Sequence, residues 1–278
     1  MAPLSLTLAL LAMAVATAGI EVVPLDMAWD SFDDQYQDCG PNMTAALPAL
    51  NRSEFQKNPL FAWAWPKAVA EWQQLGSPVS PLSSPAQAIA LMAYTMNDLY
   101  KEFNKAVRVA GRSRQHYRDN FHFKTLHFLL TQAVVALRDT QRLNRGCVYR
   151  GVDKVQFQAR VGQRVRFGQF ASTSRCEDVI HDFGTNTTFE VQTYHGAEIK
   201  RFSYFQREDE VLIPPFETFE VTKVDQKETN IRIHLSSTGT FSNYNCEWLK
   251  GGSLPRNSPH LGGLLLATVA MAVVTGTL

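Results

Sequence analysis

Net charge is the first thing this 278-residue chain lacks: 27 Lys and Arg against 26 Asp and Glu leave +1. A chain so nearly neutral carries no basic field, so nothing in its composition points to a nucleic-acid partner. Zinc and calcium ligand spacings, a Gly-rich phosphate loop and a G-x-S-x-G elbow are missing too. Their absence removes the signatures of metal modules, P-loop enzymes and α/β-hydrolases. His122 and His127 come nearest to a metal pair, but five residues apart they do not share a helix face, so both are read as structural.

Basic residues are also missing where they would fix a membrane span. Met1 to Ala18 contains "LSLTLALLAMAVA" and closes on Ala16-Thr17-Ala18, the pattern of a secretory signal peptide cut before Gly19. Its leading region has no Lys or Arg, which leaves an uncleaved anchor as the alternative. At the other end, Gly251-Gly252-Ser253 precede a short polar spacer and an apolar run to Leu278, with no charge after Arg256. Residues 254–278 therefore resemble a propeptide directing a GPI anchor more than a spanning helix. The mature chain is expected to be one domain over residues 19–253, with enough length for a full core, at the cell surface or secreted.

Cysteine is scarce as well, at four residues, and in a secreted chain these suggest disulfides. A Cys39–Cys246 pair would tie the first part of the domain to its last strand. Asn42, Asn51 and Asn186 each open an Asn-x-Ser/Thr glycosylation triplet.

What is present changes character near Gly146. Residues 19–145 read as mainly helical. Pro85 follows the capping Ser84, Leu99 to Val109 runs to Gly111 as a stop, and "FKTLHFLLTQAVVALRD" places Leu126, Leu129, Leu130, Ala133, Val134 and Leu137 on one face. Residues 146–248 are short, β-branched and aromatic. "CVYRGV", "RVRFGQFASTS", "TTFEVQT", "IKRFSYF", "EVLIPPF", "ETFEVTKV" and "NIRIHLSS" are the candidate strands. This division predicts an α+β fold with largely antiparallel pairing.

Within those strands Arg150 is a charge in an apolar run, which means either a solvent-facing arginine or one that meets an anion. Ser172-Thr173-Ser174 ends the next aromatic segment as a polar edge. In "EDEVLIPP", Glu208 and Glu210 are two apart, so on a continuous strand both project to one side and Asp209 to the other. A solvated strand end would also account for three acids.

The order "VYRGV", "FGQFASTS", "EDEVLIPPFE" resembles the arginine, serine and Glu-x-Glu signature of the arginine-specific mono-ADP-ribosyltransferases of vertebrate cell surfaces. The likeness extends to "LDMAWDSFDDQY", "KEFNKAVRVAGRSR", "FKTLHFLL" and "YNCEW". It implies a helical N-terminal part followed by a mostly antiparallel, β-sandwich-like ADP-ribosyltransferase core, with the NAD cleft between sheets. It also implies transfer of ADP-ribose from NAD, as substrate and without a metal, to arginines of extracellular or membrane proteins, or to small guanidino compounds.

Under that resemblance Arg150 holds the pyrophosphate, since a guanidinium offers bidentate geometry that an ammonium lacks. Ser172 orients the ribose or the catalytic carboxylate, and Glu210 stabilises the oxocarbenium-like ribose. Glu208 positions and deprotonates the incoming arginine. Tyr94, Gly151, Gln169 and Ser203 match positions lining the NAD site, and Phe183 matches one that stacks on nicotinamide. For Tyr94 and Phe183 an ordinary packed aromatic is the competing reading. Mammalian relatives usually carry a cysteine near the position of Tyr194 and this chain has none there, so whether Cys147 pairs with Cys176 instead stays open. An NAD glycohydrolase using the same Arg150, Ser172 and Glu210 is the alternative activity, and Glu208 argues against it because water needs no acid to position a guanidinium.

Overall fold

The computed structural model describes residues 19–141, 146–178, 184–227 and 230–251. The expected signal peptide, the anchor propeptide and Phe183 lie outside these residues. Strand β1 (Glu21–Pro24) leads into helices α1 (Gly40–Lys57), α2 (Pro59–Gln74), α3 (Pro85–Thr95), α4 (Tyr100–Ala110), α5 (Arg114–Asn120) and α6 (Lys124–Thr140). Strands follow: β2 (Val148–Val152), β3 (Val155–Gln158), β4 (Arg164–Val165), β5 (Ala171–Ser174), β6 (Thr187–Gln192), β7 (Ala197–Glu198), β8 (Glu210–Ile213), β9 (Glu217–Lys227) and β10 (Asn230–Thr240). A short helix α7 (Glu247–Gly251) ends the described chain.

The helices form where apolar residues recur at helical spacing. In α6 the six residues of the sequence stripe, Leu126 to Leu137, are all buried. Pro85 starts α3, where its missing N–H costs nothing. Helix α4 stops at Gly111 because of crowding rather than backbone freedom. Its φ is −85°, but a Cβ there would sit 2.1 Å from the Ser31 carbonyl oxygen.

Two strand expectations are corrected. "IKRFSYF" is a 3-10 turn at Lys200–Phe202 rather than a strand, because Ile199 and Phe202 bury into the helical core. "RVRFGQFASTS" divides into β4 and β5 at Gly168, whose φ of +64° turns the chain against Ala28. Strand β1, unforeseen in the helical half, pairs parallel with β3.

The main sheet has the order β4-β9-β10-β6-β2-β5-β8-β7, antiparallel throughout except for β10 with β6. Strands β2 and β5 are joined by the single pair Tyr149–Ser174, so the sheet has two limbs that meet along that line. One apolar core lies among the helices and a second, including Val148, Phe189, Phe219 and Ile233, lies against the larger limb.

The ends of the domain are tied by polar groups as well as by sulfur. Cys39 and Cys246 form a disulfide spanning 207 residues of sequence. Asp33 accepts from the Asn243 and Tyr244 amides, and Asp34 from the Cys246 and Glu247 amides. "SFDDQY" thus receives "NYNCEW", which explains why two adjacent buried carboxylates are tolerated.

Candidate active site

A cleft of about 530 Å³ opens where the two limbs meet, with α3 and α4 forming its other wall. The row Tyr149–Ser174–Glu210 crosses β2, β5 and β8 in register, and it brings Arg150, Ser172 and Glu210, distant in sequence, to one place.

Arg150 is half-buried in this cleft, so the solvent-facing alternative is overturned. Its Nη1 donates to the Ser172 carbonyl at 2.8 Å. Burial works against its charge, the neighbouring Arg108 adds repulsion, and Tyr94, Tyr100 and Glu210 offset part of both. A guanidinium held by one carbonyl keeps most of its donors for an anion.

Glu210 is only 4% exposed. Burial pushes its pKa up to about 7, the Ser172 and Ser203 hydroxyls and Arg150 pull it down, and Glu208 pushes it further up. Ser203 Oγ donates to Glu210 Oε2 at 3.4 Å and accepts from the Phe205 amide at 3.1 Å. Ser203 is 1% exposed and reaches the Glu210 carboxylate without being among the residues that line the cleft. The Ser172 hydroxyl lies between Glu210 and Tyr94 Oη, which is 3.4 Å away.

Glu208 also lines the cleft, but strand alternation is not the reason. Residues Gln206–Glu208 form a 3-10 turn, and β8 begins at Glu210. Between them Asp209 takes a left-handed conformation, φ 42° and ψ 49°, which redirects the chain, and both glutamates line the same opening. Asp209 points outward to Lys200, and Ser174 Oγ donates to the Glu208 carbonyl at 2.6 Å. Partial burial raises the pKa of Glu208.

Tyr94 is buried and serves both readings offered for it. It packs near Phe103 and Phe170, lines the cleft, and donates its hydroxyl to the Phe170 carbonyl at 3.0 Å. Burial pushes that hydroxyl's pKa up to about 12, so it stays a donor. Gly151 and Gln169 line the cleft, and Gln169 accepts from Arg108. Tyr100, Asn104 and Arg108 escaped the sequence reading. They recur every four residues along one face of α4, and Asn104 betrays itself as a polar residue inside the buried stripe of Phe103 and Val107.

Cys147 and Cys176 are free thiols and do not bond to each other. His127 is buried between Tyr36 Oη at 2.9 Å and the Phe32 carbonyl at 3.2 Å, a structural role as expected.

A family model described as NAD:arginine ADP-ribosyltransferase matches residues 25–243. The chain belongs to that family. It is 48% identical to NAD(P)(+)--arginine ADP-ribosyltransferase 2 of Gallus gallus, over 92% of this chain and 83% of the relative. It is 49% identical to the GPI-linked NAD(P)(+)--arginine ADP-ribosyltransferase 1 of Mus musculus, over 82% of this chain and 74% of the relative. The crystal structure of the eucaryotic mono-ADP-ribosyltransferase ART2.2 superposes with a TM-score of 0.71 at 33% identity, covering 81% of this chain and 98% of that one. A mutant of the same enzyme in complex with NADH matches at a TM-score of 0.70, 33% identity, with the same coverage of both chains. The α+β architecture of the family is thereby the architecture of this chain.

Proposed function

We propose that this protein transfers ADP-ribose from NAD to the guanidinium of an arginine, releasing nicotinamide. The observation that carries this reading is the pair of glutamates at one opening: Glu210, buried beside a free-handed arginine, and Glu208, half-exposed at the rim. Arg150 receives the pyrophosphate, for which its unspent donors and rigid strand suit it. Ser172 and Ser203 fix the Glu210 carboxylate against the ribose that turns oxocarbenium-like as nicotinamide leaves. Charge that develops only in the transition state is stabilised there, in a site already desolvated. Glu208, nearer solvent, holds the entering guanidinium and takes its proton.

The GPI-linked relatives of mouse and human, and the end patterns at 1–18 and 254–278, support a cell-surface protein whose targets are extracellular or membrane proteins bearing arginine. Of the three glycosylation triplets, Asn42 is exposed, whereas Asn51 has its carbonyl oxygen buried and Asn186 accepts from the Lys154 amide. Asn42 is therefore the acceptor best placed for a glycan.

Incubation of the secreted protein with labelled NAD and agmatine tests the reading. ADP-ribosylagmatine should be the main product. Free ADP-ribose in its place, unchanged by agmatine, would identify a glycohydrolase, and neither product would refute an enzymatic role.

A further inference from the structure

We infer that Tyr94 is a positioning residue for the reaction: its hydroxyl relays hydrogen bonds between Asn104 and Ser172, so that Ser172 keeps hold of Glu210 whether or not that carboxyl carries a proton. The chain runs from side chain to side chain. Asn104 Nδ2 donates to Tyr94 Oη at 3.1 Å, Ser172 Oγ lies 3.4 Å from Tyr94 Oη, and the Ser172 hydroxyl bonds Glu210. Tyr94, Asn104 and Glu210 are 2%, 5% and 4% exposed, which leaves the chain to the protein's own donors and acceptors.

Counting hydrogens shows what Tyr94 does. Ser172 has one to give and Tyr94 has one, and each hydroxyl rotates to suit its partners. With Glu210 protonated, the carboxyl donates to Ser172 Oγ, Ser172 donates to Tyr94 Oη, and Tyr94 donates to the Phe170 carbonyl at 3.0 Å. Ionised Glu210 has no hydrogen to give and accepts one, so the Ser172 hydroxyl turns to it and Tyr94 turns its own to Ser172 Oγ. That reversal would orphan the buried Phe170 carbonyl, but Asn104 Nδ2 donates to the same oxygen at 3.1 Å. The amide, with two hydrogens, thereby releases a hydroxyl that has only one. In the reversed chain every bond runs toward the carboxylate, from Asn104 through Tyr94 and Ser172 to Glu210, and each donor polarises the next. That is the form that faces the oxocarbenium-like ribose.

Both states lie within reach, since burial holds Glu210 at a pKa of about 7 and keeps the Tyr94 hydroxyl protonated with one of about 12. Glu208 and Arg150 also act on Glu210, and Tyr100, Lys101 and Arg108 of α4 line the same cleft. Among the described residues none of these five bonds the Ser172 hydroxyl, so Tyr94 is what orients it from the side away from Glu210.

This inference rests on the reading of the cleft as the site of ADP-ribose transfer, and one set of measurements separates the two. Tyr94→Phe keeps the ring beside Phe103 and Phe170, Asn104→Ala leaves the Phe170 carbonyl dependent on the Tyr94 hydrogen, and the two are combined in a double variant. Each is assayed beside wild type with labelled NAD and agmatine. Either single variant should lower kcat roughly three- to tenfold, with KM for NAD within about twofold of wild type. Transfer and hydrolysis should fall by the same factor, because both need Glu210. The double variant should fall no more than about twofold below the weaker single one, because each substitution breaks the same chain. A merely structural loosening would instead raise KM, and the two losses would multiply. An unchanged kcat, an effect confined to KM, or multiplying losses would overturn the inference. If only one single variant is secreted folded, its division between kcat and KM decides. Wild type that forms neither product would sink the reading of the site instead.

Discussion

Arg166 and Arg150 are both arginines taken from water in the β half of the molecule, and their surroundings are opposite. Arg166 is 1% exposed and engaged through all three of its nitrogens: Asp33 accepts at 2.6 Å, and the carbonyls of Met27, Phe241 and Ala28 at 2.7, 3.0 and 3.2 Å. Among the described residues Arg150 gives one hydrogen bond, to the Ser172 carbonyl. The carboxylates divide in the same way. Asp33 accepts from Arg166 and two backbone amides, while Glu210 has hydroxyls, one of them at 3.4 Å. Burial raises the pKa of both acids, so desolvation alone does not tell them apart. What differs is the number of donors spent within the protein. A saturated pair holds the fold together, and an unsaturated one is reserved for a ligand.

The contrast can be broken at either end. On the unsaturated side, Glu208→Gln should reduce transfer to agmatine by ~100 to 10,000-fold while NAD hydrolysis persists, because only the group that receives the arginine is lost. Measuring both products from one sample gives a ratio independent of the amount folded, and an equal fall in both would show that Glu208 is not reserved for the acceptor. On the saturated side, Asp33→Ala leaves Arg166 buried without its counter-ion and should cost about 3 to 5 kcal/mol of stability. Thermal melting of the secreted protein checks this, and activity per folded molecule should stay close to normal.

Glu210→Gln sharpens the comparison because its two effects have opposite signs. Both transfer and hydrolysis should fall by about 100- to 1000-fold, since charge stabilisation of the ribose disappears. Stability should rise. A carboxyl whose folded pKa sits near 7 rather than 4.5 destabilises the fold once it ionises, so the penalty is absent below about pH 4.5, grows as pH rises to 7 and is constant above. At pH 8 the substitution should stabilise by on the order of 2 to 3 kcal/mol, and at pH 4 it should change little. Paired melting curves at the two pH values read this directly. The smallest effect concerns wild type alone: with the folded pKa at about 7, the log of kcat/KM should climb with pH up to that point and flatten beyond it. A flat profile from pH 5 to 8 would contradict ionised Glu210 as the active form.

Much of this was legible in the amino-acid order because it depends on local periodicity. The apolar stripe of α6, the proline that starts α3 and the alternation in β9 and β10 are contacts that the chain makes with one layer of neighbours, and they leave a repeating trace. The catalytic candidates were legible for another reason: Arg150, Ser172 and Glu210 each had an ordinary reading alone, and it was their order along the chain that resembled the signature of a known family.

Tertiary structure alone decided the remainder. Whether Arg150 faced water or a cleft depended on β2 pairing with β5 through one residue pair, which no local pattern encodes. Glu208 and Glu210 share an opening through the left-handed turn at Asp209, where period-two reasoning predicted the right neighbours by the wrong geometry. "IKRFSYF" has strand composition, yet Ile199 and Phe202 gain more by filling the helical core than by pairing in the sheet. Asn104 stood out only as a polar residue inside an apolar stripe of α4, and that its amide bonds Phe170 and Tyr94 was decided by packing. Composition and periodicity determined which elements form and which polar groups need an explanation. The packing of α3 and α4 against two limbs of a sheet determined which of those groups were left with something to bind.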